Sequence, residues 1–347
     1  MKKVLMLLLG IVMLIASAAG CSSNNAPAVE EPTTAVEEPT TDVAKEPDDS
    51  EGETFEIYYI AKQLSDPFCN WMTTTMEQMI ESDYPSFNLT TFDGQLSVET
   101  RMKLMEDAIV KKPDMLILQF FDEVEVGIIQ EVIDAGIHVV VTNGHYTSVD
   151  NLCSFVDIDP YEQGAVVAKK AAEDLPENAK VVLILGVAGN QHSVAREKAW
   201  DDYLFAARPD IECLARSNAD WDKDKAMALM EDWLQAFPEI DGVVSCYDSM
   251  TLGAMEALKG ANRLEGCQLY GTDALPDACL AIETGEYHAT VLQDGYAIAE
   301  GALKICYDYL VEGNTSIQEL YTETPLIDST NVAEMLKTHR ASGMLKE

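Results

Sequence analysis

The residue types best suited to gripping a neutral polar molecule fall in a few short segments of this sequence. They read Gln63-Leu64-Ser65-Asp66-Pro67-Phe68, then Asn143-Gly144-His145-Tyr146, then Gly186-Val187-Ala188-Gly189-Asn190-Gln191-His192 running on to Arg196. Tyr247-Asp248 and Gly271-Thr272-Asp273 follow. Carboxylates accept hydrogen bonds, arginine donates in a fixed planar fork, and aromatic rings cover apolar faces. Catalytic signatures are absent: there is no G-x-S-x-G elbow, P-loop, G-x-G-x-x-G or H-E-x-x-H. The five histidines (His138, His145, His192, His288, His339) do not cluster in sequence. His145 and His192 fall in the segments above, as a spatial pair, ligand contacts or plain surface. The chemistry expected is binding, with no cofactor and no metal.

The elements that must position these segments repeat one rhythm. Apolar runs of strand length occupy Phe55–Ala61, Met115–Leu118, His138–Thr142, Val181–Leu185, Gly242–Ser245 and Gln268–Tyr270. Between them lie helix-length amphipathic stretches, among them Ser97–Val110, Tyr161–Glu173, Asp222–Ala236 and Asp248–Leu258. Buried strands alternating with such helices predict an α/β fold of doubly wound parallel sheets. Asp66-Pro67 is a helix start, a capping acid before proline at the first helical position. Ligands of doubly wound sheets sit outside the carboxyl ends of the strands, where the polar segments lie.

Charge and the N-terminus narrow the setting. Lys and Arg number 23 against 60 Asp and Glu, a formal net charge of −37. Such a surface repels phosphate backbones, so nucleic acid is not an expected partner. Residues 1–20 combine Lys2-Lys3, an apolar block from Val4 to Ile15 and small residues before Cys21, which reads as an export signal. Ala18-Ala19-Gly20-Cys21 resembles the bacterial lipobox, so Cys21 is the expected lipidation site. Ten acids against one base then fill residues 22–53, with an imperfect repeat at Ala28–Thr34 and Ala35–Thr41. Residues 21–53 are thus expected to form the lipidated cysteine and an extended acidic tether. The seven remaining cysteines have no C-x-x-C pair or short spacing, so neither a disulfide framework nor a zinc site is expected.

Several segments carry a family resemblance when taken in order. They are Leu64-Ser65-Asp66-Pro67-Phe68, Ala188-Gly189 with Ala195-Arg196-Glu197, Ala219-Asp220-Trp221, Tyr247-Asp248-Ser249-Met250 with Leu252-Gly253-Ala254, Thr272-Asp273, and Gln293 after Ala289–Leu292. From about Thr54 onward the chain resembles the type I periplasmic sugar-binding proteins of ABC importers, the ribose- and galactose-binding group. The resemblance implies two doubly wound lobes joined by three crossovers, one built from 54–157 plus 294–323 and the other from 158–293 plus 324–347. It also implies a ligand site between them formed by Asp66, Phe68, Asn143, Arg196, Trp221, Tyr247, Asp248, Asp273 and Gln293. The sequence departs from the family in places: Asn143-Gly144 stands where ribose binders carry Asp-Arg, Tyr247 replaces an asparagine, Cys69 a second aromatic, and Pro160 an asparagine.

A pyranose offers C–H faces that Trp221 and Phe68 would cover, and hydroxyls that the carboxylates and Arg196 would pair. The competing readings are that Trp221 is a core or rim aromatic, that Asp248 caps the helix after it, and that Arg196 makes a solvated ion pair. Three carboxylates (Asp66, Asp248, Asp273) against one guanidinium favour a neutral sugar or polyol. The expected function is that of a monomeric, lipid-anchored, extracytoplasmic binding protein delivering ligand to an ABC permease. A sensor presenting ligand to a membrane receptor and a lipid-anchored hydrolase are the alternatives.

Overall fold

The computed structural model describes residues 53–346; the expected export signal, Cys21 and nearly all of the acidic segment lie outside the described residues. The chain opens with β1 (Phe55–Ala61), α1 (Pro67–Asp83), β2 (Phe87–Asp93), α2 (Val98–Lys111), β3 (Met115–Gln119), α3 (Val126–Asp134), β4 (His138–Thr142) and β5 (Ser154–Asp157). It continues through α4 (Pro160–Asp174), β6 (Lys180–Leu185), α5 (Gln191–Trp200), β7 (Glu212–Asn218), α6 (Lys223–Ala236), β8 (Gly242–Ser245), α7 (Asp248–Gly260), β9 (Gln268–Asp273), α8 (Pro276–Glu283) and β10 (Ala289–Leu292). The last elements are α9 (Gly295–Leu310), β11 (Glu319–Tyr321), β12 (Leu326–Asp328) and α10 (Val332–Ala341).

These strands form two six-stranded sheets, ordered β11-β5-β4-β3-β1-β2 and β12-β10-β9-β8-β6-β7. Every neighbouring pair is parallel except β10 with β12. The chain leaves the first sheet after β5, returns after β10 for α9 and β11, and crosses a third time to β12. The protein is therefore an α/β molecule of two doubly wound lobes with three crossovers. The first sheet and its helices are called lobe one below, the second lobe two.

The expected strands form because their residues are buried on both faces. Met115–Leu118 and Val181–Ile184 have no exposed surface, as parallel sheets covered by helices require. Helix starts are fixed by short polar side chains. Asp66, with Pro67 after it, accepts from the Cys69 N–H, and Asp159, with Pro160 after it, accepts from Tyr161 and Glu162. Ser97, Asn190, Asp222 and Asp294 cap in the same way, each contributing about 1 kcal/mol.

One buried ion pair braces the mouth of lobe one. Arg101 on α2 donates through Nε to Glu125 Oε1 at 2.5 Å and through Nη2 to Oε2 at 3.1 Å. The same guanidinium donates to the carbonyls of Ala61 and Gln119, the last residues of β1 and β3. Both partners are fully buried, so removing either would strand a charge. Gly94 is required beside it, since a Cβ there would meet Arg101 Cγ at 2.8 Å and the Ala61 oxygen at 2.4 Å.

Candidate functional site

The carboxyl ends of the two sheets face one another across a cavity of about 580 Å³, within the range of small-molecule sites. Asp66, Phe68 and Asn143 line it from lobe one; Arg196, Trp221, Tyr247, Asp273 and Gln293 line it from lobe two. The structure thus brings eight of the nine expected ligand residues to one cavity.

Asp248 is the exception and is corrected here. It is the first residue of α7 and fully buried. Its Oδ1 accepts from the Tyr287 hydroxyl at 2.6 Å and the Thr290 hydroxyl at 2.8 Å, and its Oδ2 from the Leu275 N–H at 2.9 Å. All three partners are internal to lobe two, so the carboxylate ties α7 to the segments around β9 and β10 and does not line the cavity. Burial pushes its pKa up to about 7, against the three donors that favour the charged form.

Arg196 projects from α5 into a buried polar frame. Its Nε and Nη2 donate to Gln163 Oε1 at 3.1 and 2.5 Å, Nη1 to the Cys246 carbonyl at 2.7 Å, and Nη2 also to Gln293 Oε1 at 2.7 Å. A guanidinium with 2% exposure and this many acceptors is not a solvated helix-face ion pair. One Nη1 proton has no acceptor among these partners. Asp273 Oδ1 lies 4.0 Å from Nη2 and has no hydrogen-bond partner. Burial pushes the Asp273 carboxyl well above the ordinary range, opposed by Arg196 and reinforced by Asp248 and Asp66. The backbone is held at positive φ here, +117° at Asp273 and +57° at Ala274, a conformation that costs about 1–3 kcal/mol per residue and clusters at binding sites.

The aromatic walls come from both lobes. Phe68, 3% exposed, meets Trp71 edge to face at 6.1 Å. Trp221 follows Asp220 in a left-handed turn, with φ of +64° and +53°. Its ring lies over Gly186, where a Cβ would fall 2.2 Å from the indole carbons; glycine at the end of β6 is therefore what lets the ring lie there. Tyr247 stands edge-on to Trp221 at 6.3 Å and donates through its hydroxyl to Asp66 Oδ2 at 2.7 Å, across the cleft.

Two participants escaped the sequence reading, and a third, His192, was singled out there without its partner. Lys62, immediately after β1, lines the cavity and donates through Nζ to the carbonyl oxygen of Asn143 and to its Oδ1. The position was findable, since it follows a strand end like the segments that were singled out. Gln163 sits inside α4 with nothing in its local sequence to mark it. His192 Nε2 lies 3.4 Å from Asp157 Oδ2, both buried, joining the lobes beside the first crossover. Burial works against the Asp157 carboxylate, but His192 and Lys62 outweigh it and hold its pKa below the ordinary value. His145 does not pair with His192; it stacks on Phe155 at 3.9 Å, with Nε2 2.6 Å from Asp150.

The charge sum changes accordingly. Removing Asp248 and adding Lys62 and the charged residues around Trp221 leaves Asp66, Asp220, Asp222 and Asp273 with Lys62, Arg196, Lys223 and Lys225, a balanced set of four and four. Cys69 lines the wall where a second aromatic was missing, its thiol pushed well up by burial and therefore protonated. Among the described residues, no group of three His, Cys, Asp or Glu side chains is arranged to hold a metal.

Comparison with known proteins agrees with this fold. Residues 57–315 match the family model of the periplasmic binding protein domain. A xylitol-binding protein of Mycolicibacterium smegmatis is 33% identical over 198 residues, spanning 57% of this chain and 56% of that protein. A ribose import binding protein of Salmonella typhimurium is 27% identical over 255 residues, 72% of this chain and 84% of its own length. An ABC transporter solute binding protein from Bacillus halodurans, solved with bound myo-inositol, matches with a TM-score of 0.76 at 25% identity, over 82% of this chain and 98% of that one. The relatives are binding proteins, not enzymes. The matched span runs from β1 past the end of α9, and on that basis the chain belongs to the periplasmic binding protein family, with the fold of its sugar- and polyol-binding members.

Proposed function

We propose that this protein captures a neutral sugar or polyol between its lobes outside the cytoplasm and delivers it to an ABC permease in the membrane. The observation that carries the reading is the composition of the cavity: two aromatic walls, four carboxylates balanced by four cations, and hydrogen-bonding atoms still open on Asp273 and Arg196. In this reading Trp221 and Phe68 cover the C–H faces, and Asp273, Arg196, Asn143 and Gln293 pair with hydroxyls. Asp66 and Tyr247 frame the cleft from opposite lobes. Leaving one such buried partner unpaired costs about 1–3 kcal/mol, which is how the site would distinguish epimers. A ligand touching both lobes favours the closed arrangement by its differential affinity, and the permease reads that arrangement.

The lobes are proposed to divide at 54–157 plus 294–323 and 158–293 plus 324–347. Residues 1–20 would direct export, Cys21 would carry the lipid, and the acidic segment would hold the body away from the membrane. The experiment is a thermal-shift screen of sugars, polyols and nucleosides, since a ligand of the folded state raises the melting temperature. A rise confined to neutral polyhydroxylated compounds is expected; a rise with none of them, or only with nucleosides, contradicts the reading.

A further inference from the structure

We propose that His339, on the C-terminal helix α10 and outside the cavity, is a positioning residue for Asp273, holding the turn that aims this carboxylate into the cleft. The inference rests on the polyol-binding reading above, in which Asp273 pairs with a ligand hydroxyl, and adds what sets the direction of that pair.

The turn is strained. Asp273 ends β9 at φ +117° and Ala274 follows at φ +57°, and such backbone persists only where its surroundings over-determine it. Ala274 has no exposed surface, and side chains engage both of its backbone polar groups. Its N–H donates to Thr290 Oγ1 at 3.3 Å. Its carbonyl accepts from His339 Nε2 at 2.8 Å and from the Cys279 thiol at 3.4 Å. A thiol is a weak donor, so the imidazole supplies the main bond to this carbonyl. Asp273 Oδ1 itself has no hydrogen-bond partner, so the protein directs that oxygen through the backbone that carries it.

The imidazole is itself fixed from both lobes. His339 is fully buried and stands edge to face with Trp71 of α1, ring centres 5.1 Å apart. Trp71 is pinned in turn by Phe68 on the cavity wall and by the start of α9, where a Cβ at Gly295 would fall 3.0 Å from the indole. On the other side α10 packs on α8, the helix into which the Asp273–Ala274 turn leads. A carbonyl only accepts, so Nε2 carries the proton, and Nδ1 is left buried with no partner. Burial lowers the His339 pKa below its ordinary value, against the Ala274 carbonyl and Asp294, which favour the charged form. The ring is therefore neutral at pH 7, its one proton on the bond to Ala274. Filling this space alone would call for phenylalanine, without a stranded acceptor. The donor is what histidine adds.

The test is calorimetry on the full chain with xylitol, D-ribose and myo-inositol, continued with whichever binds tightest. His339→Phe keeps a ring against Trp71 and removes the donor, whereas His339→Gln keeps a donor. The expected result is a loss of fivefold or more in His339→Phe, recovered to within twofold in His339→Gln, at unchanged stoichiometry. In an Asp273→Ala background the His339→Phe change should cost less than twofold, while in an Asn143→Ala background it should again cost fivefold or more. A histidine that only stabilises the fold would give the same loss in both backgrounds, and that outcome overturns the proposal. Affinity unchanged within twofold in His339→Phe overturns it too, while leaving the polyol reading intact. If His339→Phe does not fold, NMR of the imidazole nitrogens in the wild type decides. An Nε2–H ring whose resonances shift when ligand binds is expected; an Nδ1–H ring, or one unmoved by ligand, overturns the proposal. Failure of the wild type to bind any of the three compounds overturns the polyol reading and this inference with it.

Discussion

The Tyr247 hydroxyl and Asp66 Oδ2 meet at 2.7 Å across the interlobe cleft, joining residues 181 positions apart. Asp66 also caps α1 through its other oxygen, so the residue that starts the first helix of lobe one is the one that lobe two grips. The Gln191 N–H donates to the Tyr146 oxygen at 3.2 Å, a further bond between the lobes beside the His192–Asp157 contact. The lobes thus have protein–protein contacts that hold them together, and ligand contacts would add to these. A hydrogen bond to a charged group contributes about 1.5–3 kcal/mol, enough to shift the balance between open and closed arrangements. Tyr247→Phe is expected to enlarge the ligand-free protein's radius of gyration in small-angle X-ray scattering. An unchanged scattering curve would show that this bond does not govern closure.

Arg196 and Trp221 should separate binding from stability. Trp221 packs on Gly186 and the cavity, so Trp221→Ala is expected to weaken ligand binding by at least about 1 kcal/mol with little change in the empty protein's melting temperature. Arg196 holds Gln163, Gln293 and the Cys246 carbonyl, so Arg196→Ala also strands buried acceptors at about 1–3 kcal/mol. It should therefore lower both affinity and melting temperature. Calorimetry and thermal melts on the two variants check the contrast, and equal melting temperatures would contradict the frame described for Arg196.

Asp248 gives the fold a pH dependence of known sign. Its folded pKa, about 7, is raised above the ordinary value. Its contribution to stability is therefore fully present below about pH 4 and is lost as pH rises through 7. Asp248→Asn abolishes this titration while placing an amide donor among Tyr287, Thr290 and Leu275. The stability advantage of wild type over the variant should be larger at pH 5 than at pH 8, measured by urea unfolding. An advantage that is flat or grows with pH would contradict the assignment.

The strands legible in the sequence are those buried on both faces, such as Met115–Gln119 and Gly242–Ser245. The edge strands were not legible, because one neighbour and partial exposure allow polar residues; nor were the interior β5 and β10, where Ser154, Asp157 and Thr290 interrupt the apolar run. β2 carries Asn88, Thr90 and Thr91, and β7 carries Glu212, Arg216 and Asn218. The cavity residues were legible because they follow strand ends. Asp248 shares that position but is the first residue of a helix, and one step along a helix turns a side chain by roughly 100°. Tyr247 faces the cleft and Asp248 the interior. Partners brought from a distance, such as Gln163 beside Arg196, leave no mark in local sequence.

Anchoring is tested at Cys21. Cys21→Ser should abolish incorporation of radiolabelled palmitate and release the protein from the membrane fraction, whereas continued labelling would contradict lipidation at that residue. One acyl chain binds a membrane only marginally, so mass spectrometry of the wild type is expected to find at least two.

The central claim is that the cleft takes a neutral polyhydroxylated molecule. Four carboxylates and four cations line the cavity and leave no net charge to hold an anion, and a poorly solvated anion beside Asp66 and Asp273 would meet repulsion of several kcal/mol. The direct measurement is calorimetry of neutral sugars and polyols against their phosphates and acids, at two salt concentrations. The account predicts that a neutral compound binds tightest and that its affinity is nearly indifferent to salt; tighter binding of an anion, weakening as salt rises, would contradict it.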